Sequence, residues 1–114
     1  MRKLICIAVI GTVTLISGCT NTYDKEIDQV IRLENVLMKD AKKDIDKIER
    51  NKTCIRVYQD GNLIELTYDI RTNRSITEYY KKINNEYKWV NDTEAKKTAN
   101  LETEKPVYQE NNCE

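Results

Sequence analysis

The sequence predicts an α+β fold in which one long N-terminal helix packs on a curved four-stranded antiparallel sheet. Residues 23–50 place apolar side chains at spacings of three, four and seven, which is typical of an amphipathic helix. Apolar and polar residues then alternate on both sides of Asp60-Gly61-Asn62, and alternating segments also flank Asn84-Asn85. Both patterns indicate β-hairpins. A helix followed by consecutive strands favours a two-layer α+β arrangement.

The helix is predicted over residues 23–50, with acidic residues in its first turn and Arg50 in its last, where each charge complements the helix dipole. Glu34 and Asp44 interrupt a strict heptad, so we expect the apolar stripe to pack on a core rather than in a coiled coil. The predicted stripe comprises Tyr23, Ile27, Val30, Leu37, Ala41, Ile45 and Ile48.

The strands are predicted at about 53–60, 62–71, 75–83 and 86–90. Pairing across Asn84-Asn85 places Tyr80 opposite Trp89 and Lys82 opposite Tyr87, but tyrosines on both sides leave open which face is buried. In the first hairpin one face is consistently apolar, and its residues are Ile55, Val57, Ile64, Leu66, Tyr68 and Ile70.

The domain is predicted to end at residue 90, followed by a polar and partly ordered segment over 91–114. Residues 92–102 are compatible with a short helix capped by Asp92. Residues 105–111 are compatible with a short edge strand or with extended chain.

The first 18 residues are predicted to be a signal peptide that is removed. Arg2 and Lys3 precede an apolar run of about thirteen residues, and small residues follow it. A helix that spans a bilayer needs roughly 20 apolar residues, so this run is short for a membrane span.

Ile16-Ser17-Gly18-Cys19 resembles the lipobox of bacterial lipoproteins, in which an aliphatic residue and two small residues precede a cysteine. The resemblance implies that the Cys19 thiol receives a diacylglyceryl group. It also implies that a signal peptidase recognises Ile16, Ser17 and Gly18 and cuts after Gly18. Residues 19–22 would then be a short tether, and the protein would be lipid-anchored on the extracellular face of the cell membrane.

Charge and cysteine content narrow the remaining possibilities. Removing Arg2 and Lys3 from the 19 basic residues leaves 17 against 19 acidic residues, a net charge of −2, which does not favour binding to nucleic acid. Once the leader is removed and Cys19 is lipidated, Cys54 and Cys113 remain. They form one disulfide or remain two free thiols, because the sequence does not fix the distance between them.

The composition also argues against catalysis, cofactors and metals. The chain has no histidine, which excludes Ser-His and Cys-His nucleophilic pairs. Two cysteines cannot complete a tetrahedral zinc site. The three glycines, at positions 11, 18 and 61, do not build a phosphate-binding loop. We therefore expect neither an enzyme nor a site for a small-molecule substrate.

Several segments together resemble the small cystatin-like-fold lipoproteins of Gram-positive bacteria. They are the leader with its lipobox, the helix beginning "YDKEIDQVI", the strand "CIRVYQDG", a tyrosine-rich third strand and the late "KPVYQEN". The resemblance implies a cystatin-like fold and a lipid-anchored location, and it implies no particular activity. Inhibitory cystatins carry Gln-x-Val-x-Gly in the first hairpin, whereas residues 59–62 here read as an ordinary turn.

The expected function is that of a surface lipoprotein whose non-catalytic domain binds a membrane or surface protein, or another envelope component. An alternative that the sequence leaves open is an exclusion or immunity lipoprotein of a mobile element or prophage. Aromatic residues and arginine contribute readily to interfaces. The predicted contact surface accordingly comprises Arg56, Tyr58, Tyr79, Tyr80, Tyr87 and Trp89.

Overall fold

The computed structural model describes residues 23–41, 47–70, 73–111 and 113, and helix α1 (Asp24–Ala41) is the first element within these ranges. The predicted signal peptide lies outside the described residues. So do the predicted lipid-attachment residue Cys19 and the predicted recognition residues Ile16, Ser17 and Gly18. Within the described ranges, no helix has the length and apolar character needed to cross a bilayer.

The predicted helix over 23–50 is wrong in its last part, since residues 47–49 are not helical. Ile48 is buried as the stripe predicted, but it reaches the core from a segment that returns to α1. The Asn35 side chain holds this segment: the Ile48 N–H donates to Asn35 Oδ1 at 2.7 Å, and Asn35 Nδ2 donates to the Ile48 carbonyl. Ile48 therefore fits the helical spacing although it belongs to a non-helical segment that is hydrogen-bonded to α1.

The buried side of α1 also differs from the predicted stripe. Leu37 is 40% exposed, whereas Met38 is buried. Ile27, Ile31, Glu34 and Met38 follow an i, i+4, i+7, i+11 pattern and form the inward side. The Ala41 side chain and Ile45 lie outside the part of the chain that the structure describes.

Within the described residues, the sheet has five antiparallel strands in the order β4-β3-β2-β1-β5. The pairings of Tyr80 with Trp89 and of Lys82 with Tyr87 confirm the predicted register of the second hairpin. The fifth strand pairs with β1 and lies beyond the predicted count of four. The strands are β1 (Cys54–Tyr58), β2 (Leu63–Ile70), β3 (Arg74–Ile83), β4 (Glu86–Val90) and β5 (Tyr108–Glu110).

Both hairpins turn through residues with positive φ. Asn84 and Asn85 have φ of 53° and 65°, as a two-residue type I′ turn requires. In the first hairpin Gly61 has φ of 98°, and an added Cβ would lie 3.5 Å from Tyr23 Cε1. Glycine is favoured here because L side chains rarely adopt this conformation.

The inner face of the sheet packs against α1 to form the main core. All six apolar residues predicted for this face of the first hairpin are buried, which confirms the alternation. A second cluster lies on the outer face, where Tyr58 and Leu63 pack with Ala95 and Ala99 around helix α2 (Asp92–Thr98). Asn91, rather than Asp92, caps α2.

The predicted domain boundary at residue 90 is wrong, because α2 and β5 both pack on the sheet. The four predicted strands left the edge at β1 and the outer face of the sheet uncovered. In the structure, β5 pairs with β1 at that edge and α2 packs on the outer face. The domain therefore extends at least to residue 111.

Candidate functional site

Helix α2 divides the outer face of the sheet into a covered half and an open half. It lies over the side of β3 near Tyr79, where Lys81 Nζ pairs with Glu94 Oε2 at 2.9 Å. The other half is a depression of about 350 Å³. We call its polar lining the open polar face, which comprises Lys52, Arg56, Glu65, Thr67, Asp69, Thr77 and Asn111.

The open polar face carries both signs of charge. Arg56 donates to Glu65 Oε2 at 3.0 Å and to Gln109 Oε1 at 3.3 Å. The hydroxyl groups of Thr67 and Thr77 are hydrogen-bonded at 2.9 Å across β2 and β3. Most of these side chains stand on paired strands, so their positions are set by the sheet rather than by a mobile loop.

A disulfide between Cys54 and Cys113 closes one border of this face, with their Cα atoms 5.0 Å apart. The sequence left this pairing open. Asn111 reinforces the border, since its Nδ2 donates to the carbonyl oxygens of Arg50 at 2.6 Å and Thr53 at 3.0 Å. The end of the chain is thereby fixed to β1 next to the depression.

A cluster around Arg50 joins α1 to β5. The guanidinium donates to Asp24 at 2.6 Å, to Asp28 at 3.0 Å and to both carboxyl oxygens of Glu110. The hydrogen bonds from Arg50 hold the pKa of Glu110 below its usual range. Hydrogen bonding to Glu110 in turn raises the pKa of Arg50, which stays charged at any physiological pH. This Arg50 cluster fixes the start of the helix to the edge of the sheet.

The six residues predicted as a contact surface do not form one surface. Arg56, Tyr58 and Tyr79 belong to the outer face, whereas Tyr80, Tyr87 and Trp89 belong to the inner face. Tyr58, Tyr80 and Tyr87 are at least 95% buried, because helices cover both faces. Tyr79 packs under α2, and Trp89 alone of the six is a largely exposed aromatic, at 47%. The prediction that these six residues form one contact surface is therefore wrong.

Sequence reasoning missed a polar group in the core. Glu34 on α1 is fully buried and accepts hydrogen bonds from Tyr80 Oη, at 2.7 Å, and from Tyr68 Oη. Burial and these bonds raise the pKa of both tyrosines, which remain neutral phenols. The sequence spacing indicates this burial, because Glu34 follows Ile27 by seven residues and so lies on the same side of the helix as Ile27. We interpreted it as a break in a heptad instead.

The described residues provide no cluster of histidine, cysteine, aspartate or glutamate suited to hold a metal ion. On the outer face of the sheet, Arg56 pairs with Glu65 and Lys81 pairs with Glu94. Burial raises the pKa of Tyr79 to about 12 and also raises the pKa of Tyr58, so both phenols stay protonated near neutral pH. The arrangement is suited to hydrogen bonding with a partner.

Comparisons with known proteins agree with this architecture. Residues 23–112 match the family model described as a domain of unknown function with cystatin-like fold (DUF4467). A crystal structure of a DUF4467 family protein from Staphylococcus aureus subsp. aureus Mu50 superposes with a TM-score of 0.64 at 20% identity, covering 81% of this chain and 99% of that one. No curated protein matches the chain. The chain therefore belongs to the DUF4467 family of cystatin-like domains.

Proposed function

We propose that this protein is a lipid-anchored component of the extracellular face of the cell membrane, whose domain binds a protein or another envelope component without catalysis. The lipobox at residues 16–19, placed after a basic and then apolar leader, supports the anchor. The absence of histidine from the sequence and the engagement of Arg50, Arg56 and Tyr79 in structural contacts support a role without catalysis.

The observation that carries the binding role is the open polar face. Helix α2 covers one half of the outer face, and the described residues leave the neighbouring half as a concave polar surface. Because its side chains are held by strands and by the Cys54–Cys113 disulfide, little conformational freedom is lost when a partner binds. Arg56 is compensated by Glu65, so the surface favours a partner of mixed polarity over a polyanion.

A photo-crosslinking amino acid at Thr77 tests this assignment on intact cells. Thr77 is exposed within the open polar face, and Lys96 is exposed on α2 and serves as the matched control position. We expect a discrete crosslinked product from position 77 that is lost when Asp69→Lys is added, since Asp69 lines the same depression. Identical products from positions 77 and 96 would contradict a specific role for this face.

A further inference from the structure

The start of α1 and the two hairpin turns lie together at one end of the domain. The ring of Tyr23 packs close to Gly61: a Cβ atom added to Gly61 would lie 3.5 Å from Tyr23 Cε1. Tyr87 Oη donates to the Gly61 carbonyl, and the Lys82 N–H donates to the Asn62 carbonyl at 2.8 Å. The second hairpin is thereby joined to the first at the same end as Tyr23.

The segment before β5 completes this end. The Val107 N–H donates to the Val57 carbonyl at 2.7 Å, and Gln59 Nε2 donates to Glu104 Oε1 at 3.2 Å. The rings of Tyr23 and Tyr108 have centroids 5.9 Å apart. We call this assembly the turn end, which comprises Tyr23 and residues 59–62, 82–87 and 104–108.

The inference rests on the proposed anchor at Cys19. Only four Cα steps separate Cys19 from Tyr23, a reach of about 14 Å for extended chain. Strand β3 alone, over Arg74–Ile83, is about 30 Å long. A lipid on Cys19 can therefore bring the turn end to the bilayer while the opposite end of β3 stays well away from it.

The turn end exposes apolar side chains that suit such a surface. Ile83 is 38% exposed and Val107 is 51% exposed. Ile83 lies at the end of β3 and Val107 lies just before β5, and these two strands are three strand spacings, or about 14 Å, apart. Both side chains can therefore contact the same flat membrane surface. The charges nearby have both signs, so net charge does not drive the contact: Asp60, Glu86 and Lys105 are exposed, and Lys82 is half-buried.

We propose that the turn end docks on the lipid headgroups at the outer surface of the membrane, with Ile83 and Val107 inserted among them. In this orientation the two hairpin turns face the membrane. The open polar face is lined largely by residues toward the opposite end of the strands, such as Asp69 and Thr77, and remains clear of the bilayer for a partner.

The test measures the height of two labels above the membrane. The lipidated protein is purified from cells and placed in vesicles of phosphatidylcholine and phosphatidylglycerol that contain a headgroup quencher. Introduced cysteines at Glu86→Cys and Ser75→Cys carry a fluorescent label, and Cys54 and Cys113 are already paired. Glu86 pairs with Ile83, which is eight residues along β3 from Ser75. The two labels therefore differ in height by about 26 Å when the strands stand upright on the membrane.

We expect strong quenching at position 86 and little at position 75. The double substitution Ile83→Ser with Val107→Ser should abolish this difference. The matched control, Val36→Ser with Leu37→Ser, should preserve it, because these side chains are exposed on α1 about 18 Å along the helix from Asp24.

The outcomes separate the two proposals. A purified protein whose mass lacks the lipid removes the proposed anchor, and the docking inference fails with it. A lipidated protein with equal quenching at both positions overturns docking and leaves the anchor intact. A difference that survives the Ile83 and Val107 substitutions overturns the contact assigned to these two side chains.

Discussion

Replacing Tyr80 by phenylalanine should lower the free energy of unfolding by about 2 kcal/mol. The hydroxyl of Tyr80 donates to Glu34 Oε1 at 2.7 Å, and both residues are buried. Removing a donor from a buried acceptor costs roughly 1–3 kcal/mol. For a domain of this size, each kcal/mol changes the melting temperature by about 4–8 °C. A loss of about 10 °C is therefore expected.

Urea unfolding followed by Trp89 fluorescence measures this change, since Trp89 is the single tryptophan of the chain. Tyr79→Phe is the matched control: this tyrosine is partly buried on the outer face of the same strand and is not bonded to Glu34. We expect the control to change the free energy of unfolding by less than about 0.5 kcal/mol.

The combination of Tyr68→Phe, Tyr80→Phe and Glu34→Leu sharpens the test. It replaces the two donors and their acceptor by apolar groups, and such replacement is often close to neutral. We expect the triple variant to recover most of the stability that Tyr80→Phe loses. A Tyr80→Phe protein within about 0.5 kcal/mol of wild type would refute the reasoning, as would a triple variant less stable than the single one.

Three further perturbations test other parts of the fold. Arg50 lowers the pKa of Glu110 below its ordinary 4.5, so this pair stabilises the domain above that pH and stabilises it less as pH falls. The urea midpoint of the wild-type protein should therefore decline between pH 5 and 3, and Glu110→Gln should make this decline smaller. Cys113→Ser opens the loop from Cys54 and should cost up to about 4 kcal/mol, with faster hydrogen exchange in β5. Gly61→Ala should cost about 1–2 kcal/mol by calorimetry, because φ there is 98°.

The strands were predictable because their signals are local. Alternation identified the buried face of the first hairpin, and Asn84-Asn85 fixed the register of the second. The end of α1 was not predictable in the same way. Ile48 fits the helical period, yet it lies in a non-helical segment that is hydrogen-bonded to Asn35 of α1. Periodicity reports that a residue is buried and not which element carries it.

The surface was less predictable because exposure depends on which helix covers each face. Tyr58 belongs to an outward position, and packing with Ala95 and Ala99 of the α2 segment buries it. The role of Arg50 depends on β5, which is separated from it by some 60 residues in sequence. No local pattern specifies such contacts, so the open polar face emerged only from the packed structure.

The most direct test of the central claim is the mass of the protein extracted from cell membranes. The proposed function predicts a chain that begins at Cys19 and carries a diacylglyceryl group on that residue. It also predicts that Cys19→Ala yields an uncleaved chain without fatty acid. A wild-type protein that retains residues 1–18, or that begins at another residue without lipid, would contradict the proposed anchor.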